Sequence, residues 1–333
     1  MRYIRVSRRL LQTRIGTDII KREYLKKEAV DLEQIRLREG CINCIVERQL
    51  NHYDKEISEK KKVMYMQGVF KILSEADLSE SAPVITERIY KLQKEMFGRE
   101  ADFSKIKHTY NQMMLNKEDE VQRKIAASAD PLKRAIQYAM TGNYIDFGAL
   151  DGVEDEKLEE LLERSEQNPV DAKEYANLKK DLEKASKLVY LTDNCGEIVL
   201  DKILIGQLMR QYPQIDITVI VRGKPALNDA TLEDAEEAGL SKVVTVIGNG
   251  NGITGTWLPE ISAEAREKIE EADLILSKGQ GNFETLQGCG KNIYYMFLCK
   301  CKLFVERFQM EQFEGVLANE LRCQDRSDQE KIG

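Results

Sequence analysis

A cluster of polar residues directly after an apolar segment is the part of this sequence best suited to chemistry. The apolar segment covers residues 188–192, and an acid, an amide, a small residue, a glycine and a second acid follow it: Asp193, Asn194, Cys195, Gly196 and Glu197. A helix-like segment comes next, so the pattern predicts a parallel strand, a turn and a helix. Ligands of open α/β sheets bind at the carboxyl ends of strands. A carboxylate beside an amide at such a position indicates oxygen ligands for a hard metal ion.

Three further predicted strands also end in polar or glycine-rich turns. Strand 216–222 ends at Arg222 and is followed by Asp229, strand 242–247 leads into Gly248–Gly252, and strand 273–277 leads into a third turn that contains Lys278, Gly279 and Asn282. Consecutive parallel strands would bring these turns to one edge of a sheet. The resulting mixture of carboxylates, amides, cations and glycines suits a phosphate ester that is bound through a metal ion.

Each turn taken alone also has an ordinary structural interpretation. An Asp-Asn pair after a strand is often only a turn or a helix cap. Gly248–Gly252 could be a flexible connection or a lid, and Lys278 could be a surface lysine. Glu197 could carry a proton, hold its neighbours in place or simply be an acid favoured at a helix N-terminus. The occurrence of all these residues at successive strand ends is what favours a functional site.

Several enzyme classes are disfavoured by what the sequence lacks. The first strand is not followed by G-x-G-x-x-G, and no G-x-x-x-x-G-K-[ST] occurs, so dinucleotide-binding and P-loop proteins fit poorly. A haloacid-dehalogenase-type phosphatase would place an acid where Cys195 stands. His52 and His108 are the only histidines, which are too few for a zinc site built on several imidazoles. A catalytic metal would therefore be a cation such as Mg²⁺ or Mn²⁺ on oxygen ligands.

Composition limits the cellular setting and the partners. The 333 residues are enough for roughly two domains of about 150 residues each. The formal net charge of −7 does not indicate a general nucleic-acid-binding surface. No apolar stretch is long enough for a bilayer span, and seven cysteines without framework-like spacing indicate a reducing compartment. We therefore expect a cytoplasmic protein that binds a small-molecule phosphate ester, and neither a nucleic acid nor a membrane.

The apolar period changes along the chain. Residues 41–182 have helical spacing, and after Lys187 short apolar runs alternate with helical stretches, which predicts a parallel sheet covered on both faces. The predicted strands are 188–192, 216–222, 242–247, 273–277 and 292–298. The predicted helices of this part are 197–210, 231–238, 261–271, 282–288 and 302–312. The predicted regions are a charged N-terminal extension 1–39, a helical region 40–185, a catalytic α/β domain 186–322 and a polar tail 323–333.

At these positions the sequence resembles the damage-control phosphatase family (ARMT1-like domain), metal-dependent phosphatases first catalogued as a domain of unknown function. The resemblance covers about residues 41–320 and depends on the order and spacing of several short motifs. These are Cys41–Cys44 with Arg48-Gln49, Lys107 with Asn111, Gly142–Gly148, Asp193–Glu197, Arg222–Pro225 with Asn228-Asp229, and Ser277–Glu284. The early Cys-x-x-Cys resembles the prokaryotic branch of the family. Reduced thiols are the ordinary interpretation of Cys41 and Cys44, and a structural metal or a redox pair is the alternative.

The resemblance implies a Rossmann-like three-layer α/β/α sandwich with a largely helical N-terminal region. It implies that Asp193, Asn194 and Asp229 bind a divalent metal ion (Mn²⁺, Mg²⁺, Co²⁺ or Ni²⁺), and that Lys278 and the turn at Gly279 contact phosphate. It also places Asn143 and Asp146 in a motif that reaches the site from the helical region. The predicted catalytic residues are Asp193, Asn194, Asp229 and Lys278. The predicted substrate-binding residues are Asn143, Asp146, Glu197, Arg222, Gly279 and Asn282.

The sequence therefore predicts a metal-dependent phosphatase that hydrolyses small phosphorylated metabolites, such as sugar phosphates or phosphorylated cofactor intermediates. Attack on phosphorus by a metal-bound water and attack by Asp193 both remain open. Two other functions also remain open. One is a Rossmann-like methyltransferase or nucleotide-binding protein that uses the glycine-rich turns for adenosine or its phosphates. The other is a regulatory module that binds metal and phosphate without turnover.

Overall fold

The computed structural model describes residues 36–51, 57–98, 102–145 and 155–323. Most of the predicted extension 1–39, the tail after residue 323, His52 and the predicted site residue Asp146 lie outside these ranges. Contacts divide the chain into two compact units, residues 1–92 and 93–333. The first strand begins at Lys187, the residue after which the sequence predicts the change of apolar period. Among the described residues, no helix is both long and apolar enough to cross a bilayer.

The first unit is helical where it is described. It contains α1 (Glu39–Asn51), α2 (Glu59–Glu75) and most of α3 (Ala82–Phe97). Apolar side chains at helical spacing form its interior, among them Val69, Ile85 and Ile89. The Tyr65 hydroxyl donates to Gln49 Oε1 at 2.6 Å and so satisfies two buried polar groups. Cys41 and Cys44 both lie on α1 as free cysteines.

The second unit combines helices with one sheet. Its elements follow in chain order: α4 (Ser104–Ala126), α5 (Pro131–Gly142), α6 (Asp155–Glu163), α7 (Ala172–Lys184), β1 (Lys187–Leu191), α8 (Glu197–Gln211), β2 (Asp216–Val221), α9 (Leu232–Glu237), β3 (Thr245–Gly248), α10 (Ala263–Glu271), β4 (Leu274–Lys278), α11 (Gln280–Leu286), β5 (Ile293–Leu298), α12 (Lys302–Phe308), β6 (Gly315–Asn319) and α13 (Glu320–Cys323). Short 3₁₀ helices lie at Arg164–Gln167, Leu240–Lys242 and Leu258–Glu260. Asp130 caps α5, because its side chain accepts from the Lys133 N–H, and Pro131 occupies the first turn.

The six-stranded sheet has the order β3-β2-β1-β4-β5-β6. Strands β1 to β5 are parallel to their neighbours, and β6 is antiparallel to β5. Side chains of β1 alternate between two apolar clusters, with Leu188 and Tyr190 in one and Val189 and Leu191 in the other. Helices therefore cover both faces, which confirms the predicted α/β class. The chain leaves β1 toward β2 on one side and later returns to β4 on the other, so the carboxyl end of β1 is a topological switch point.

Two elements differ from the prediction. The helix expected over 302–312 ends at Phe308, and residues 315–319 form the unpredicted strand β6. The helix ends because Gln309 adopts a left-handed conformation with φ +52°, and Phe313 has φ +68°. Neither position is a glycine, so the sequence gives little sign of the break.

Candidate metal and phosphate site

The first site segment follows β1 at the switch point and pairs with the chain after β2. Asn194 and Asp229 form an antiparallel bridge. The Ala230 N–H donates to the Asp193 carbonyl at 2.7 Å, and the Cys195 N–H donates to the Asn228 carbonyl at 2.9 Å. Backbone pairing of this kind fixes segments far more firmly than contact between flexible side chains. The structure therefore brings the three predicted metal ligands, Asp193, Asn194 and Asp229, together.

A buried arginine lies between the two aspartates. Arg222 Nε donates to Asp229 Oδ2 at 2.6 Å, and Arg222 Nη2 lies 3.5 Å from Asp193 Oδ1. Arg222 Nη1 donates to Asn282 Oδ1 at 3.4 Å. Within the described residues, Nη2 makes no hydrogen bond although it is buried. A buried guanidinium hydrogen without an acceptor is costly, and an anionic ligand would satisfy it.

Two side-chain amides join the first aspartate to Glu197. Asn143 Nδ2 donates to Asp193 Oδ2 at 2.9 Å and to Glu197 Oε2 at 3.1 Å. Asn194 Nδ2 donates to the same two oxygens, at 2.8 Å and 3.0 Å. Asn143 follows the last residue of α5, so the helical segment contributes to the site as the sequence predicts. These donors leave Asp193 Oδ2 and Glu197 Oε2 close together, held by the same pair of amides.

Lys278, at the end of β4, is fully buried and contacts Glu197 from the other carboxylate oxygen. Its Nζ donates to Glu197 Oε1 at 2.5 Å, to Asp201 Oδ1 at 2.8 Å and to the Ala139 carbonyl at 2.8 Å. All three ammonium hydrogens are therefore used. Burial alone would lower the pKa of Lys278, but Asp201 and Glu197 outweigh it and hold the pKa above its usual value.

Asp201 is the second carboxylate partner of Lys278. Its Oδ1 accepts from the Tyr190 hydroxyl at 2.7 Å as well as from Lys278. Its Oδ2 is buried and has no hydrogen-bond partner in the described part of the chain. Burial raises the pKa of Asp201 to about 6, and the neighbouring Glu197 charge adds to the rise, while the Lys278 ammonium opposes it.

Two residues after β4 have structural roles in the site. Gly279 has φ +82°, and a Cβ atom there would overlap the Asp193 carboxylate, so the position requires glycine. Its N–H donates to the Met296 carbonyl at 3.1 Å. Asn282 Nδ2 donates to the Thr192 and Lys278 carbonyls, at 3.0 Å and 2.7 Å, and so ties the ends of β1 and β4 together.

The glycine-rich segment after β3 is packed tightly against its neighbours. Asn249 and Thr256 are fully buried. A Cβ atom on Gly223 would overlap the backbone of Gly250, so the two turns touch through their main chains. Thr256 Oγ1 donates to Asn282 Oδ1 at 2.8 Å, the same oxygen that accepts from Arg222. This geometry favours a fixed wall of the site over the flexible connection or lid considered above.

The charges of the buried network fit a divalent cation. Four buried carboxylates, Asp193, Glu197, Asp201 and Asp229, lie in one network with two buried cations, Arg222 and Lys278, so acids outnumber cations in this network by two. Buried charge without compensation is strongly unfavourable. Asn228 Oδ1 is also buried with no hydrogen-bond partner among the described residues. No group of three or more His, Cys, Asp or Glu there is arranged to hold a metal, and the predicted ligand set needs none, because Asn194 is its third member.

Comparison with known proteins identifies the family. Residues 37–316 match the sequence profile of the damage-control phosphatase ARMT1-like domain. The chain belongs to the damage-control phosphatase ARMT1-like family. The resemblance inferred from the short motifs is thereby confirmed. The prokaryotic branch and the role of Cys41 and Cys44 in it remain predictions.

Similar members of the family come from archaea. An uncharacterised protein of Methanocaldococcus jannaschii is 31% identical over 296 residues, covering 86% of this chain and 96% of that protein. A damage-control phosphatase of Archaeoglobus fulgidus is 31% identical over 271 residues, covering 79% and 91%. A damage-control phosphatase of Pyrococcus horikoshii is 29% identical over 272 residues, covering 80% and 92%.

A solved structure supports the fold of this family member. The crystal structure of a DUF89 family protein from Pyrococcus horikoshii superposes with a TM-score of 0.71 at 27% sequence identity. It covers 85% of this chain and 99% of that one. The α/β sandwich is therefore shared over nearly the whole of the relative.

Sequence reasoning missed several residues that the structure places in or against the site. Asp201 had a usable signal, because it stands four residues after Glu197 on a predicted helix, and residues at that spacing share a helix face. Tyr190 lies within the apolar strand pattern and Thr256 follows the glycine-rich turn, so neither stands out. Asn228 belongs to the motif that contains Asp229, but the sequence indicates no separate role for it.

Proposed function

We propose that this chain is a metal-dependent phosphatase that hydrolyses phosphomonoesters of small metabolites, such as sugar phosphates or phosphorylated cofactor intermediates. The observation that carries the proposal is the buried network at the ends of β1, β2 and β4, with four carboxylates facing two cations. Membership of the family and the two relatives named damage-control phosphatases support the same reaction.

Asp193, Asn194 and Asp229 would hold the divalent cation, which we take to be Mn²⁺, Mg²⁺, Co²⁺ or Ni²⁺. Two carboxylates and an amide oxygen are the hard donors that such ions bind in proteins. Backbone pairing of the two segments that carry these residues supports the assignment. When bound, the cation would polarise the phosphoryl group and stabilise the negative charge that develops on its oxygens.

Arg222 is the residue we assign to the phosphoryl oxygens. Its Nη2 is buried without a hydrogen bond in the described chain, and its Nε is fixed on Asp229. A guanidinium held in this way needs no reorganisation when it meets an oxyanion, which is the condition for effective electrostatic stabilisation. Asn282 and Thr256 support Arg222 from the other side.

Lys278 and Gly279 are given supporting roles in this proposal. The Lys278 ammonium already donates to Glu197, Asp201 and a carbonyl, so it acts on the site by fixing Glu197. Glu197 in turn holds the Asn143 and Asn194 amides against Asp193. Gly279 leaves the space that the Asp193 carboxylate occupies.

The direct test is phosphate release from p-nitrophenyl phosphate and a panel of sugar phosphates, nucleotides and phosphorylated cofactors, each with the four metal ions and with chelator. We expect metal-dependent release by the wild type. Asp193→Asn and Asp229→Asn keep the side-chain shapes and should lower kcat/KM by about 10³-fold or more, as expected for groups that act on the reacting phosphate. Circular dichroism would show that both variants are folded.

The outcomes separate the competing functions. Unchanged activity in both variants would disprove the site assignment. Tight metal-dependent binding of phosphate without hydrolysis of any substrate would favour a regulatory module. Stabilisation by S-adenosylmethionine in the absence of metal would favour a methyltransferase-like protein.

A further inference from the structure

Helix α4 carries two buried polar residues whose role the proposed chemistry does not explain. Lys107 and Asn111 stand four residues apart, so they face the same side of the helix. Asn111 is fully buried, and Lys107 is 9% exposed. Both side chains contact segments adjacent to the predicted metal ligands.

Asn111 contacts the segment that carries Asp193 and Asn194. Its Oδ1 accepts from the Gly196 N–H at 2.6 Å. Its Nδ2 donates to Asp234 Oδ1 at 2.9 Å and to Glu237 Oε2 at 2.8 Å. One acceptor bond and two donor bonds satisfy both ends of the amide, which fixes its orientation.

The contact at Gly196 controls how the chain enters α8. Gly196 has φ +68°, and a Cβ atom there would lie 3.1 Å from the Tyr110 Cβ and 3.2 Å from its carbonyl oxygen. The residue stands two positions after Asn194, directly before the first residue of α8. An acceptor for the Gly196 N–H therefore stabilises the backbone conformation that directs Asn194 toward Asp229.

Lys107 contacts the segment that carries Asp229. Its Nζ lies 2.6 Å from Asp234 Oδ2 and 3.3 Å from Thr231 Oγ1. Asp234 Oδ2 also accepts from the Thr231 N–H at 2.8 Å, which is one of the two bonds of the capping box of α9, and from the Thr231 hydroxyl at 2.7 Å. Thr231 stands two residues after Asp229. Asp234 thus receives bonds from Asn111, Lys107 and Thr231 together.

We propose that Lys107 and Asn111 form a clamp that sets the separation between Asp193–Asn194 and Asp229 and thereby raises the affinity of the site for a divalent cation. The inference rests on the proposed function, since it concerns the same metal site. Both are positioning residues, because they act through Gly196, Asp234 and Thr231. The backbone bonds between the two segments remain when the clamp is removed, so its loss should loosen the site without unfolding it.

Mn²⁺ binding to the metal-free full-length protein, measured by titration calorimetry, tests the clamp directly. Asn111→Leu and Lys107→Met should each raise the Kd for Mn²⁺ by about 10–100-fold, the usual effect of removing a group that orients a metal ligand. The kcat measured at saturating Mn²⁺ should change much less than the Kd. Lys107→Arg keeps the ion pair with Asp234 and should restore most of the affinity.

Gln112→Leu is the matched control. Gln112 Nε2 donates to Glu237 Oε1 at 2.8 Å, so it contacts the same acid as Asn111 from the next position on α4, but it has an exposed bond to that acid only. Its replacement should leave the Kd for Mn²⁺ unchanged. Should Asn111→Leu fail to fold, Lys107→Met by itself carries the same expectation, because it removes the cation from Asp234 and leaves the Asn111 bonds to Gly196 and Asp234 in place.

The possible results separate the clamp from the proposed function. Wild-type Mn²⁺ affinity in folded Asn111 and Lys107 variants overturns the clamp. Mn²⁺ binding that these variants weaken, with no phosphate release from any substrate by the wild type, supports the clamp and overturns the phosphatase. A wild type that binds none of Mn²⁺, Mg²⁺, Co²⁺ and Ni²⁺ in the same titration overturns both.

Discussion

The two buried cations of the site differ in how completely they are satisfied. Lys278 has both carboxylate partners and a carbonyl on its three hydrogens. Arg222 is equally buried but has an Nη2 group without a hydrogen bond in the described chain. Because unsatisfied buried donors are costly, the Arg222 cluster is the one that a ligand would complete. The Lys278 cluster, formed by Lys278, Glu197 and Asp201, is better suited to hold the other residues in place, because every hydrogen of its cation is already used.

Replacing Lys278 should have the largest effect on stability. Lys278→Met leaves Glu197 and Asp201 as two buried acids without a cation, and we expect a loss of about 3–5 kcal/mol in the free energy of unfolding. Urea denaturation of metal-free protein measures it. Lys187→Met is the matched control, because Lys187 forms a 2.8 Å ion pair with Glu271 at the surface and should cost about 1 kcal/mol or less. Equal losses in the two variants would contradict the structural role of Lys278.

Replacing Arg222 should affect activity more than stability. Arg222→Gln should lower kcat/KM toward small phosphate esters by about 10²–10³-fold, the typical effect of losing one oxyanion donor. Arg322→Gln is the control, since it breaks another arginine–carboxylate pair, to Glu174 at 2.9 Å. Arg322 also donates to Tyr294, near the start of β5 and so at the opposite edge of the sheet, and its loss should leave kcat/KM unchanged. Full activity in Arg222→Gln would end the contrast between the clusters.

The sequence predicts the Arg222 cluster better than the Lys278 cluster. Asp193, Asn194, Arg222 and Asp229 follow apolar strands, and strand ends can be located from periodicity alone. Since parallel strands share an edge, their proximity follows from the fold. The helical face that Glu197 and Asp201 present to Lys278 depends on how α8 packs on β1 and β4, which short-range patterns do not encode.

The difference between short-range patterns and tertiary packing also explains why the sequence does not predict strand β6 or the contacts of Lys278. Strand β6 follows α12, which ends at Phe308. The next residue, Gln309, adopts a left-handed conformation, and a glycine would normally mark such a position in the sequence. The family resemblance implies that Lys278 contacts phosphate, whereas in the structure its three ammonium hydrogens go to Glu197, Asp201 and the Ala139 carbonyl. Asn111 meets Gly196 across 85 residues of sequence, a contact that only the tertiary structure establishes.

The pH dependence of stability tests the role of Asp201 in the Lys278 cluster. Burial raises the pKa of Asp201 from 3.8 to about 6, so the fold favours its protonated form. This contribution is complete below pH 4 and is lost as the pH rises through about 6, by on the order of 3 kcal/mol. Asp201→Asn cannot ionise and lacks this loss. Its stability relative to the wild type, from urea denaturation of metal-free protein, should therefore improve between pH 4 and pH 7.

Tyr190→Phe changes the same titration in the opposite direction and has the smallest expected effect. The Tyr190 hydroxyl donates to Asp201 Oδ1 at 2.7 Å and favours the ionised form, so it holds the pKa of Asp201 below the value that burial alone would give. Loss of this bond should cost about 1 kcal/mol. It should also extend the decline in stability to pH values above 6, whereas Asp201→Asn removes the decline. The same pH dependence of stability in Tyr190→Phe and Asp201→Asn would show that Asp201 is not the group that titrates in the Lys278 cluster.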